Sequence, residues 1–284
     1  MELRPGQTAV VTGGASGIGA ALARRFAARD LHVVMADVEE GAMAEAAAEL
    51  GRLGSGEVLP VVTDVTDADS VQRLADAAVE AFGAVHVVCN NAGVAGSPDT
   101  AMGQVHIPSW RWVIEVNLMG VVHGHAAFLP LLRDQDEGHV VNTASIAGHF
   151  PGHSAYSASK WAVVGITEGL FHELGMAGSA VGASCLCPGW VRTQIMESHR
   201  NRPEWAAPTA LAEPDPMAEE MRSYVRDQIA HGAAPDDVAD RVLAAIEAKR
   251  LWVFTDAEMV ASLVARFDAV LGDRNPPHPG LFGE

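Results

Sequence analysis

Short runs of consecutive apolar residues alternate with longer amphipathic stretches along nearly the whole chain. The runs Thr8–Val11, His32–Ala36, Glu57–Val62, Val85–Cys89, Gly138–Thr143, Val181–Cys187 and Leu251–Phe254 predict about seven strands. They are Val-rich and continuous rather than alternating, as strands covered on both faces require. Between them, alanine-rich segments such as Ile18–Arg29, Asp67–Phe82 and Ala155–Met176 predict helices. Repeated βα units with short connections mean an α/β fold, a doubly wound parallel sheet with helices on both faces. Right-handed crossovers then gather the carboxyl ends of the strands, and any ligand, along one edge.

One segment breaks this rhythm. From Gln194 to Gly232 there are prolines at 203, 208, 214 and 216, mixed charges, and the bulky side chains Met196, Trp205, Met217, Met221 and Tyr224. A long irregular insertion is a functional lid or a disordered stretch, and the apolar content favours a substrate lid over residues 194–232. No internal repeat or linker divides the chain, so residues 1–284 are read as a single domain. The tail, 272–284, holds Arg274-Asn-Pro-Pro-His-Pro-Gly280, which cannot be helical and is expected on the surface or on a neighbouring subunit.

Composition narrows the classes. No run of about 18 uncharged apolar residues occurs, and Met1-Glu-Leu-Arg-Pro leads almost directly into a strand. A cytoplasmic protein with no membrane association is therefore expected. A net charge of −17 is unfavourable for nucleic acid or an anionic membrane. The three cysteines, Cys89, Cys185 and Cys187, lie in predicted strands with no CxxC spacing, and read as buried thiols in a reducing compartment. The twelve histidines are scattered, and His123-x-His125 is too isolated to propose a metal site.

Two places carry chemistry. Thr12-Gly-Gly-Ala-Ser-Gly-Ile-Gly19 follows the first strand and opens the first helix. Gly13 permits the tight turn, Gly17 lets backbone approach a pyrophosphate, and Gly19 allows close helix packing; Ser16 and Ile18 belong to the same turn. Asp37 ends the second strand, where a carboxylate binds ribose hydroxyls and repels a 2′-phosphate. No arginine or lysine occurs between Gly13 and Gly19, or at 38 and 39, so NAD is expected rather than NADP. Further on, Tyr156 and Lys160 lie four residues apart on one helix face. An ammonium there is expected to lower the tyrosine pKa and make it a proton donor or acceptor for an alcohol or ketone.

Taken together, residues 6 to 255 resemble the short-chain dehydrogenase/reductase family, in its single-domain branch with a Rossmann-like fold. Asp64 and Val65 match the family's adenine contact, and Asn90-Asn91-Ala92-Gly93 its sheet-stabilising and cofactor-contacting turn. Asn117 and Ser145 match catalytic positions beside Tyr156 and Lys160. The segment Pro188-Gly189-Trp190-Val191-Arg-Thr193 resembles the one that holds the nicotinamide carboxamide. The resemblance implies an NAD-dependent enzyme interconverting a small-molecule alcohol and its ketone by hydride transfer. Tyr156 would act as acid/base and Ser145 would fix the substrate oxygen. Lys160 would tune Tyr156 and hold the nicotinamide ribose, and the Asn117 carbonyl would anchor a water leading out from Lys160. An NADP-dependent ketoreductase of the same family and a non-catalytic NAD-binding regulator are the alternatives.

Ser145 and Tyr156 are eleven residues apart, where many relatives have twelve or thirteen, which makes His149, Phe150 and His153 candidate pocket residues. Val94, Ala95, Ser97, Trp190, Met196 and Trp205 complete a mostly apolar, bulky set, for which a hydrophobic secondary alcohol, alicyclic or aromatic, fits best. Family members assemble through the helices that here span Ser109–Leu132 and Ala155–Met176. With Phe128, Trp161 and Phe171 as surplus apolar surface, a homodimer or homotetramer is expected.

Overall fold

A computed structural model of the chain describes residues 1–54, 56–96, 102, 105–207 and 216–275. Its centre is a seven-stranded sheet of order β3-β2-β1-β4-β5-β6-β7, with every pairing parallel. The strands are β1 (Thr8–Thr12), β2 (His32–Asp37), β3 (Val58–Val62), β4 (Val87–Asn90), β5 (His139–Thr143), β6 (Gly182–Cys187) and β7 (Trp252–Phe254). All seven stand where the apolar runs predict them, with ends shifted by at most two residues.

Helices α1 (Gly17–Ala27) and α8 (Pro235–Glu247) cover one face; Leu22, Phe26, Met35, Leu243 and Ile246 form the core beneath them. On the other face α3 (Ala68–Phe82), α5 (Gly120–Gln135) and α6 (Ala155–Met176) bury Leu74, Phe128, Leu132 and Leu170 against Val88 and Val140. Helices α2 (Glu40–Leu50), α4 (Ile107–Ile114), α7 (Pro216–His231) and α9 (Ala257–Leu271) complete the fold. The chain winds outward in opposite senses from β1 and β4, so their carboxyl ends flank the switch point where such sheets bind ligands.

Helices α4 and α5 run on through a π turn, Glu115–Met119. The span Ile107–Gln135 is long and apolar enough to cross a membrane by composition. Its apolar side is instead occupied by the neighbouring helices, with Trp112, Val113, Phe128 and Leu132 buried.

Two expectations need correction. Segment 194–232 is not irregular throughout: short 3₁₀ helices at Ile195–Asn201 and Glu204–Ala206 precede α7. Pro216 sits in the first turn of α7, where its missing N–H costs nothing, and Glu219 pairs with Arg222 and Arg226 along it. The segment is closed at its base, because Arg192 N–H donates to the Ala233 carbonyl at 3.0 Å and Ala233 N–H to that of Trp190 at 2.9 Å. Its residues 208–215, the tail from 276 onward and Ser97 lie outside the described residues, as do the side chains of Met217 and Met221. The second correction concerns surplus surface. Phe128 is fully buried, and Trp161 is covered by the Arg266 guanidinium at 4.6 Å, which leaves Phe171 as the exposed member of that set.

Candidate active site

The glycine turn is a backbone cradle in which side chains do not fit. Gly13 has φ +64°, and a Cβ there would lie 2.9 Å from the Ala92 Cα. A Cβ on Gly19 would lie 1.9 Å from the Gly13 carbonyl oxygen, inside any permissible contact. Helix α1 starts at Gly17 with no side-chain cap and no acidic residue in its first turn. Its first amides and the positive end of its dipole therefore face the cavity, a site suited to phosphate. Thr12 Oγ1 accepts from the Asn91 and Ala92 amides at 2.9 and 3.1 Å, and Asn91 Nδ2 donates to the Thr12 carbonyl at 3.0 Å. These bonds lock the ends of β1 and β4 side by side.

Asp37 ends β2 and accepts from the Ala15 amide at 3.0 Å, which holds its carboxylate against the glycine turn. Asp64 stands after β3 and binds the Thr66 amide and hydroxyl, while Val65 is buried next to it. The structure also brings a cation here that no local motif announces. Arg200, from the Ile195–Asn201 turn, forks onto Glu39 beside Asp37.

Ser145 follows β5 and caps the turn Ile146–Gly148, its Oγ accepting from the Ala147 amide at 3.1 Å. Tyr156 and Lys160 lie one turn apart at the start of α6, with Lys160 Nζ 5.7 Å from the tyrosine ring centroid. Nζ is buried and donates to the Thr143 carbonyl at 2.7 Å. Burial pushes Lys160 down to about 8. The expected lowering of Tyr156 is reversed in direction: burial raises its phenol, and the hydrogen bond with Ser145 offsets only part of that rise. Loss of water around the buried phenol is thus the dominant influence on it.

Asn117 lies behind this group in the π turn, fully buried. Its side chain pairs with both backbone groups of Val94, at 2.8 and 3.0 Å, and donates to Ser159 Oγ at 3.1 Å. A Cβ on Gly93 would sit 3.4 Å from Asn117 Oδ1 and 3.5 Å from Lys160 Nζ, so the three meet under the strand end.

These groups border one cavity of about 1010 Å³. It is walled by Gly13, Ser16, Gly17, Ile18, Asp37, Asp64, Val65, Asn91, Ala92, Gly93, Ser145, Tyr156, Lys160, Pro188, Gly189, Val191 and Thr193. Trp190, Met196 and Trp205 border it as well. Gly19 and Asn117 stand behind the wall. His149, Phe150 and His153 do not line it. His149 turns inward to Cys187 Sγ (3.4 Å) between the rings of Trp252 and Phe254, Phe150 offers its carbonyl to Trp161 Nε1, and His153 is exposed. The tight turn after Ser145 drives this: it is too short to carry His149 over the cavity, and an aromatic cluster buries the ring. Trp112, Ile195, Pro203, Val225, Ile229 and Met259 line the wall without having been singled out in the sequence. Only helical periodicity within 216–231 could have flagged Val225 and Ile229.

A phosphate cradle at the switch point, an acidic ribose hook and a Ser–Tyr–Lys group facing one cavity define a dinucleotide-dependent oxidoreductase. The sequence pattern of the short chain dehydrogenase family matches residues 7–204. The chain is 35% identical over 276 residues to 1-deoxy-11-beta-hydroxypentalenate dehydrogenase of Streptomyces exfoliatus, covering 96% of this chain and 91% of that one. It is 36% identical over 203 residues to 2-(R)-hydroxypropyl-CoM dehydrogenase of Xanthobacter autotrophicus, covering 70% and 80%. Among solved structures, a short chain dehydrogenase/reductase from Burkholderia phymatum in complex with NAD superposes with TM-score 0.92 at 40% identity, covering 99% of each chain. The chain belongs to the short-chain dehydrogenase/reductase family and is an oxidoreductase acting on CH–OH groups.

Proposed function

We propose that this protein is an NAD-dependent dehydrogenase that interconverts a hydrophobic secondary alcohol, alicyclic or aromatic, with its ketone. The observation that carries the reading is the broad apolar lining of the cavity around a few polar groups. Its charged wall residues are Asp37, Glu39, Asp64, Glu115, Lys160 and Arg200, whereas Trp112, Trp190, Ile195, Met196, Trp205, Val225, Ile229 and Met259 give the same wall a broad apolar lining. A large apolar surface with a few convergent polar groups selects a bulky, uncharged substrate.

The residues fit NAD. The glycine cradle leaves room for backbone amides to meet a pyrophosphate, and Asp37 is placed to accept from ribose hydroxyls. Bound there, NAD supplies the acceptor for the hydride of the alcohol carbon, or in reduced form its donor. Ser145 Oγ hydrogen-bonds the substrate oxygen and fixes its position. Tyr156 moves the proton at that oxygen: it takes it from the alcohol and returns it to the ketone. A phenol raised by burial is protonated at neutral pH and so is poised as the donor. Lys160, at about 8, stands near working pH and offers the charge that eases loss of the phenolic proton. Segment 194–232 acts as a lid, contributing apolar wall and excluding water.

The three cysteines are free and buried, which suits a reducing, cytoplasmic setting. Val122, Phe171 and Met176 are exposed on α5 and α6, and a homodimer or homotetramer through these helices covers them.

A panel of secondary alcohols assayed with NAD⁺ and NADP⁺ tests the reading. Turnover with NAD⁺, rising from small alcohols to bulky apolar ones, is expected. Tight NAD⁺ binding without turnover of any member points to a regulator, and preference for NADP⁺ removes the role given to Asp37.

A further inference from the structure

No arginine or lysine is local to Asp37 in the chain, yet the fold delivers one. Arg200 follows Glu39 by 161 residues, and both border the cavity beside Asp37. The guanidinium forks onto its partner: Nε donates to Glu39 at 3.1 Å and Nη2 at 2.5 Å, while Nη1 donates to the Glu197 carbonyl at 3.0 Å and Asn201 Nδ2 adds a 2.8 Å bond to the Glu39 carboxylate. Glu39 in turn donates its backbone N–H to Asp37 Oδ1 at 3.2 Å. Two carboxylates and one guanidinium thus meet at the position where a ribose hook is expected, with one net negative charge. A planar fork of this kind is the side chain that recognises phosphate best when its donors are free.

We propose that Glu39 is a second cofactor-selectivity residue, one that acts by withholding Arg200 from a 2′-phosphate. This rests on the NAD reading above. Asp37 repels the phosphate directly; Glu39 repels it and also occupies the cation that would otherwise bind it. Selectivity of this sort is built from removed attractions as well as from added repulsions. Replacing Glu39 by glutamine brings the cluster to zero charge and releases the fork. Replacing Arg200 alone has the opposite effect, because it leaves two unpaired carboxylates.

Equilibrium binding reads this without depending on turnover. NAD⁺ and NADP⁺ are titrated calorimetrically into the wild type, Glu39→Gln, Arg200→Gln and the double variant. The ratio Kd(NADP⁺)/Kd(NAD⁺) is expected to fall about tenfold in Glu39→Gln, equivalent to ~1.4 kcal/mol. Most of that fall should vanish in the double variant, and the ratio should rise in Arg200→Gln. An unchanged ratio in Glu39→Gln overturns the proposal, as does a double variant that keeps the whole gain, since charge removal alone would then account for it. Should Glu39→Gln not fold, Glu39→Ser, with a residue that also suits a helix start, carries the same prediction. Failure of the wild type to bind NAD⁺ at all overturns the NAD reading instead, so the two failures are distinct.

Discussion

The two ends of the cavity are made in different ways. At the β1, β2 and β4 end, the wall is largely backbone: a glycine turn with no room for a Cβ, helix amides, and strand ends locked by Thr12 and Asn91. At the other end it is side chains from segments far apart in the chain, with Trp112 on α4, Trp190 after β6, Trp205 in the short helix Glu204–Ala206 and Met259 on α9. A backbone wall recognises what every reaction of the family shares and tolerates little change. A side-chain wall can be rebuilt residue by residue without disturbing the sheet, so specificity can change there at little cost to the fold.

Substitutions at the junction and at each end separate these roles. The largest effect is expected at the junction: Tyr156→Phe should lower turnover by about 10³-fold, as loss of a positioned acid–base group does, while calorimetric NAD⁺ affinity stays within a few-fold. Substantial residual turnover would remove Tyr156 from the mechanism. Behind the backbone wall, Gly19→Ala must displace the Gly13 carbonyl, and NAD⁺ affinity should fall about a hundredfold, ~2.7 kcal/mol. An alanine there that bound NAD⁺ normally would show the cradle to be far softer than its contacts imply.

Lys160 tests what the junction costs the fold. Its value of about 8 in the folded chain lies below the ordinary 10.5, so between these the unfolded chain binds more protons. Stability from this group therefore rises with pH through that window, and below it the buried ammonium is unfavourable. Lys160→Met should raise stability at pH 7 by about 1–3 kcal/mol and flatten the rise, while abolishing turnover. Chemical denaturation at pH 7 and pH 10 checks both; a destabilised variant would mean that the bond to Thr143 outweighs desolvation. The smallest effect is expected on the side-chain wall. Trp205 is 57% exposed, so Trp205→Ala should leave stability within about 0.5 kcal/mol. It should reduce kcat/KM about tenfold for a bulky alcohol, the scale of a lost apolar contact, and far less for propan-2-ol. Equal losses for both would place Trp205 outside the substrate site.

The same division describes what could be read in advance. Continuous Val-rich runs mark buried parallel strands because a strand covered on both faces has no polar side to show. The glycine turn and the Tyr156/Lys160 pair are likewise short-range, set by a tight turn and by i,i+4 geometry, and both stand where the sequence predicts. Other features depend on segments that meet only in the folded chain. Arg200 is remote from Asp37 in sequence, and the short helix Ile195–Asn201 brings it there. His149 looks like a loop residue, and three aromatic rings from α6 and β7 draw it under the surface. Asn117 sits in a π turn that no periodicity announces. The direction of the tyrosine shift is also set by the packed chain. A charge four residues away is visible in a sequence, but the loss of water around a buried phenol is a property of everything packed against it. The sequence by itself determined the sheet, the glycine turn and the one-turn spacing of Tyr156 and Lys160, because local backbone geometry and periodicity suffice for them. The tertiary structure alone decided which distant side chains close the cavity and how strongly they desolvate its floor, because contacts between remote segments exist only once the chain is packed.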